Sequence, residues 1–209
     1  MSESRPVLSD PKAMRALAHP ARLAMINRLS AVGSATATEL AEVTGVTPSA
    51  ASYHLRMLAK YGFVEDAPGR ADGRERVWQN VEGGFSVGYE PDEPMEVRAA
   101  KEFLVDAIWR DADEMARRAI EQADRLPAEW RDAATMTHAT LLVTAEEMRV
   151  LGERMNELLQ PYGANVRRQE GVPEGARIVQ SQVRIFLRPE MRTPGLPTED
   201  HGAADGLTD

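Results

Sequence analysis

Apolar residues in the first sixty positions recur at three- and four-residue steps, and each run is closed by a proline, a glycine or a capping side chain. Asp10-Pro11 opens the first run, with Met14, Leu17 and Ala18 as its apolar side, and His19-Pro20 interrupts it. Proline suits a first helical position, where its missing N–H leaves no bond unmade. A second helix therefore starts at Pro20, carries Leu23, Ile26 and Leu29 inward and Arg22 and Arg28 outward, and ends at Gly33-Ser34. A short third helix, TATELAEVTG, has Thr36 or Thr38 as cap, Leu40, Ala41 and Val43 as its apolar side and Gly45 as its stop. In the fourth, Thr47 caps, Pro48 takes the first turn, Ala51, Leu55 and Leu58 form the buried stripe, and Gly62 terminates.

After Gly62 the period shortens to two. Phe63-Val64-Glu65-Asp66 is β-prone, PGRADGR is turn-forming, and Arg74 to Val81 alternates polar with apolar residues, which predicts a hairpin with a basic tip. A helical domain closed by such a hairpin predicts a winged helix-turn-helix over residues 10–82. Its third and fourth helices would be the DNA-reading pair, the fourth entering the major groove.

The fourth helix carries the candidate chemistry. With Ala51, Leu55 and Leu58 inward, a 3.6-residue period puts Ser49, Ala50, Tyr53, His54 and Met57 outward, with Ser52 and Arg56 on the flanks. An ordinary solvated face carries Glu and Lys, which are better helix formers than Ser, Tyr or His. Hydroxyls can donate to phosphates or base edges, Ala50 permits close approach to a thymine methyl, and Arg56 offers a bidentate fork. The expected DNA-binding residues are Thr47, Ser49, Ala50, Ser52, Tyr53, His54 and Arg56, joined by Arg70, Arg74 and Arg76 of the wing, where narrow minor groove attracts Arg. The competing reading packs Tyr53 and His54 against the neighbouring helix and wing, and pairs Arg74 and Arg76 with Glu65 or Glu75.

Four pieces of this region occur in a fixed order: HPARL, ELAEVTG, SAASYHLRMLAKYG and GRADGRERVW. Over roughly residues 10–82 they resemble the ArsR-type winged helix-turn-helix transcriptional regulators. That resemblance implies a sequence-specific, dimeric regulator, expected to be a repressor, that binds an inverted-repeat operator in double-stranded DNA. It also implies that a helix following the wing makes the dimer contact. Metal-sensing members place thiolates in the helix that here reads ELAEVTG, and this chain has no cysteine at all. His19, His54, His138 and His201 are scattered along the sequence, so neither a metal site nor a cofactor is expected.

Residues 83–94, GGFSVGYEPDEP, lack a period and predict a linker. Residues 95–126 predict one long helix of about 32 residues, roughly 48 Å at 1.5 Å per residue, too long for a small domain to cover. Val97, Leu104, Ile108 and Met115 are its expected dimerisation stripe. Residues 127–190 predict a small β-α-β unit: a strand at 137–143, a helix capped by the Thr144…Glu147 box and running to about Leu159, and a strand at 177–188. Assembly or sensing of a small-molecule effector is the expected role of that unit. Residues 1–9 are expected to be a flexible N-terminus and 191–209 a disordered tail. The fold class is therefore α+β, made of winged helix-turn-helix, long linking helix and C-terminal β-α-β unit.

Charge at first opposes a nucleic-acid partner, since the chain carries a net −8. The distribution reverses that view. Residues 1–82 hold ten Lys and Arg against nine Asp and Glu, whereas residues 83–209 hold fifteen against twenty-four. Local potential governs contact with DNA, and the acidity belongs to the second part. No nucleophile-base pair or phosphate-binding glycine loop occurs, so no catalytic residue is assigned and an enzyme is not expected. The N-terminus lacks a basic start followed by an apolar run, and no segment reaches the ~20 apolar residues of a membrane span, which predicts a cytoplasmic protein. The alternative function is a winged-helix interaction module whose recognition surface binds another protein.

Overall fold

The computed structural model describes residues 7–68, 75–82, 84–88, 90 and 92–188. Its N-terminal half follows the order α1 (Pro11–Leu17), α2 (Pro20–Val32), β1 (Ser34–Thr36), α3 (Ala37–Thr44), α4 (Pro48–Lys60), β2 (Val64–Asp66) and β3 (Val77–Asn80). The capping residues do what their chemistry dictates. Asp10 accepts the Lys12 N–H, Thr36 and Glu39 form a reciprocal capping box on α3, and Thr47 accepts the Ala50 N–H on α4. Gly45 ends α3 with φ +67°, a left-handed conformation that costs glycine little and turns the chain into α4 within three residues.

The three strands form one antiparallel sheet in the order β1-β3-β2, with Ala35 opposite Trp78 and Glu65 opposite Gln79. Strand β1 was not expected, and it gives the hairpin a third member that ties the wing to the end of α2. Asn80 strengthens that tie by donating to the Ile26 carbonyl (3.0 Å) and the Ser30 hydroxyl (2.8 Å).

The core is built from Met14, Leu17, Met25, Leu29, Leu40, Leu55, Leu58 and Leu104, all fully buried. Leu104 comes from α5 (Met95–Glu121), whose first half packs along α1. Of the expected dimerisation stripe, Leu104 is taken by the chain's own core. Leu104 and Ala100 fill the core of their own chain, and Val97 and Ile108 pack partly against it, because α1 and α2 alone cannot cover their apolar sides. Met115 is half-buried. Burying an apolar side chain within the chain forfeits no association entropy, so the intrachain contact has first claim on it.

Ser86, Gly88 and Glu93 of the expected linker are anchored. Leu8 donates its N–H to the Ser86 carbonyl at 2.9 Å, and Lys101 of α5, 2 % exposed, pairs with Glu93 and also donates to the Gly88 carbonyl. Unpaired, a buried ammonium would cost several kcal/mol, so the acceptors are drawn in to it and fix the strand-to-helix connection.

Beyond α5 a short 3-10 turn (Ala123–Arg125) leads to α6 (Ala128–Ala133), α7 (Ala145–Leu159) and α8 (Ala164–Glu170). The Thr144–Glu147 capping box forms as its sequence dictates. The β-α-β unit does not: residues 137–143 and 177–188 make no strand, and among the described residues the sheet at the wing is the one sheet present. Two isolated strands gain little unless a face is buried, and here Leu142, Val179, Phe186 and Leu187 remain exposed. The second segment instead lies along α5. Gln182 donates to the Ala112 carbonyl at 2.8 Å, and Arg184 pairs with Asp113 at 2.6 Å beneath the Trp109 ring. Helix α8 reaches back to α2, where Arg168 donates to the Ser30 carbonyl at 2.6 Å. The expected flexible start and tail lie, from residues 1–6 and 191–209, outside the described residues.

Candidate nucleic-acid interface

Helix α4 buries Ala51, Leu55 and Leu58 and turns its other side to solvent. Thr47, Ser49, Tyr53 and Arg56 are exposed there, and Ala50, Ser52, His54 and Met57 are half-exposed. Tyr53, at 54 % exposed, projects furthest as an apolar ring ending in a hydroxyl. From Pro48 to Lys60 the helix carries no carboxylate, so this face offers donors without a fixed negative charge to repel phosphate.

His54 differs from its neighbours. Its ring centroid is 4.7 Å from that of His19, which caps α2 by accepting the Ala21 N–H on Nδ1, and 5.7 Å from that of Tyr53. Two histidines separated by 35 positions thus meet where α4 crosses the corner between α1 and α2. Sequence distance concealed the pair, and the available signal was that His-Pro places an imidazole at a helix corner. Burial pushes both imidazoles below their ordinary range, and the nearby Arg22 pushes in the same direction. Arg22 is half-buried rather than outside, its own pKa lowered by burial against the raising influence of Tyr53 and Tyr61. The His54 Nδ1 and Arg22 Nε atoms are buried without hydrogen-bond partners. The pair therefore anchors α4 from behind, and a cation beside Arg22 would be repelled. Among the described residues no group of three or more His, Asp and Glu lies close enough to hold a metal ion.

The wing contributes Arg76, exposed and stacked with its guanidinium 4.0 Å from the Trp78 ring centroid. Arg76 also forks onto Asp66, with Nη2 at 2.7 Å from Oδ2 and Nε on Oδ1. That hydrogen bonding holds the Asp66 carboxyl below its usual range. The expected alternative partners were Glu65 or Glu75. Instead Glu65 accepts from Gln79 at 2.9 Å, because the register sets those two opposite each other, and the diagonal position falls to Asp66. Arg70 and Arg74 lie outside the described residues.

Thr38, Ser52, Arg56, Glu75, Arg76 and Trp78 line a notch of about 330 Å³ between α3, α4 and β3. Sequence reasoning missed Thr38 and Glu75 as members of this surface, since one sits on the first turn of α3 and the other at the foot of the wing.

Residues 17–67 match the family described as a helix-turn-helix domain. No curated protein matches the chain. Among solved structures the chain is similar to a MarR family transcriptional regulator from Silicibacter pomeroyi DSS, at 18% identity over 71% of this chain and 74% of that one, with a TM-score of 0.33. It is also similar to the YusO protein from Bacillus subtilis, at 18% identity over 72% of this chain and 83% of that one, with a TM-score of 0.32. At such scores these two likenesses carry no argument about function. The helix-turn-helix assignment stands on the matched residues and on the geometry of α3, α4 and the wing.

Proposed function

We propose that this chain is a sequence-specific DNA-binding transcription regulator that acts as a dimeric repressor. The observation that carries the reading is the carboxylate-free exposed face of α4, with Ser49, Tyr53 and Arg56 presented beside a wing that holds Arg76. In this reading α4 enters the major groove, Tyr53 and Arg56 contact base edges, Thr47, Ser49, Ala50 and Ser52 sit along the groove wall, and the wing arginines 70, 74 and 76 follow the backbone. His54 acts through its contact with His19 by holding α4 at the angle it needs.

One winged helix covers a few base pairs, so specificity calls for two copies with recognition helices about 34–36 Å apart. The dimer axis runs along α5, whose exposed Met95, Phe103, Trp109 and Ile120 are open to a partner while Leu104 is not. The segments that follow α5 support assembly or the sensing of a small-molecule effector. Selection of bound fragments from a random DNA pool tests the function. An inverted repeat with half-sites one helical turn apart is the expected product, and a pool that shows no enrichment overturns the proposal.

A further inference from the structure

Every charged or hydroxyl-bearing residue lining the notch between α3, α4 and the wing is a potential partner for a phosphodiester except one. Thr38 and Ser52 bring hydroxyls, Arg56 and Arg76 bring guanidinium groups, and Ala37 and Trp78 form apolar walls. The exception is Glu75, whose carboxylate accepts the Thr38 hydroxyl across the notch at 3.3 Å. In a helix-turn-helix the first helix of the pair crosses the DNA backbone while the second lies in the groove, so a space bounded by the start of α3, the flank of α4 and the foot of the wing lies on the path of a strand. A carboxylate and a phosphodiester share charge sign and acceptor geometry, and one site cannot hold both.

We infer that Glu75 is an anionic placeholder in a phosphate-binding notch, occupying the position of a backbone phosphate and leaving when DNA binds. This inference rests on the DNA-binding function proposed above. Asp66 supports it from the other side, since a carboxylate there holds the Arg76 fork with Nη2 2.7 Å from Oδ2. The two acids keep the donors of the notch ordered in free protein and set a threshold against loose contact with any duplex. The cost of displacing them falls on specific and random duplexes alike, so it lowers both affinities and leaves their ratio unchanged. Glu75 therefore sets overall affinity for DNA through the phosphate backbone and contacts no base.

The test is fluorescence anisotropy of wild type, Glu75→Gln, Thr38→Val and the Thr38→Val/Glu75→Gln double variant on a labelled random-sequence duplex and on a fragment selected by wild type. Glu75→Gln should bind the random duplex about fivefold tighter at low salt, the size expected when one hydroxyl is released to hydrogen-bond a phosphate. Its salt slope should steepen by about 0.9, the release expected for one additional phosphate contact. The gain should vanish in the Thr38→Val background, because the freed hydroxyl is what the phosphate takes up. Unchanged binding by Glu75→Gln overturns the inference, as does an equal gain with and without Thr38, which marks a general effect of lost negative charge. Failure of wild type to enrich any fragment, together with no binding of the random duplex by any variant, defeats the DNA-binding function itself and the placeholder with it.

Discussion

The imidazole of His54 on α4 lies 4.7 Å, centroid to centroid, from that of His19 at the corner between α1 and α2, with Arg22 close to both. A neutral His19 must carry its proton on Nε2, because Nδ1 accepts the Ala21 N–H. Protonation would turn that atom into a donor and break the cap, and it would set one cation against Arg22 and the other ring.

The pH dependence follows from these lowered pKa values, both below an ordinary value of 6.5. A group whose folded pKa is depressed contributes stability that is present above its unfolded pKa and lost as pH falls through the folded one. The protein should therefore lose stability on acidification from about pH 7 through 6.5 and below. Urea denaturation of wild type and of His54→Phe at pH 7.5 and pH 5.5 checks it. The variant should show the smaller loss, and equal losses would remove the pair as the cause.

Adjacent residues on α5 should behave in opposite ways. Leu104 is fully buried, so Leu104→Ala should destabilise the chain by about 2–5 kcal/mol through lost burial and the cavity left behind. Phe103, 56 % exposed, should tolerate Ala within about 0.5 kcal/mol in the isolated chain. Denaturation at low concentration separates the two effects. Sedimentation of Phe103→Asp should then show weakened self-association in a folded protein.

The buried pair Lys101–Glu93 should show strong coupling. Removing one partner leaves an uncompensated buried charge, so Lys101→Met alone should cost about 3–5 kcal/mol. Lys101→Met combined with Glu93→Leu should recover most of that loss. Chemical denaturation of the two single variants and the double variant closes the cycle, and additive losses would show that the pair is not coupled.

Much of the N-terminal half was legible because its signals are local. Thr47-Pro48 starts α4, Gly45 stops α3, and Ala51, Leu55 and Leu58 mark one face without reference to the rest of the chain. Strand β1 escaped notice because Ser34-Ala35-Thr36 is too short to show alternation and depends on pairing with Val77–Gln79. The His19–His54 contact and the notch at Glu75 likewise join segments that only the fold brings together. On α5 the apolar period identified a buried face but not its partner, and Leu104 went to the chain's own core. The alternation in RIVQSQVRIFLR suits a strand and equally an extended segment, and Arg184 found Asp113 and Trp109 on α5 instead of a neighbouring strand.

The central claim is that α4 reads DNA sequence, and the most direct measurement is the ratio of affinities for a selected operator and a random duplex at fixed salt. Tyr53→Ala and Arg56→Ala should each cost the selected operator about 1–3 kcal/mol relative to the random duplex, the range of a base-edge contact. Affinity for random DNA should stay nearly unchanged in Tyr53→Ala and fall modestly in Arg56→Ala, which also loses a positive charge. Wild-type ratios in both variants would contradict the account and remove α4 from the groove.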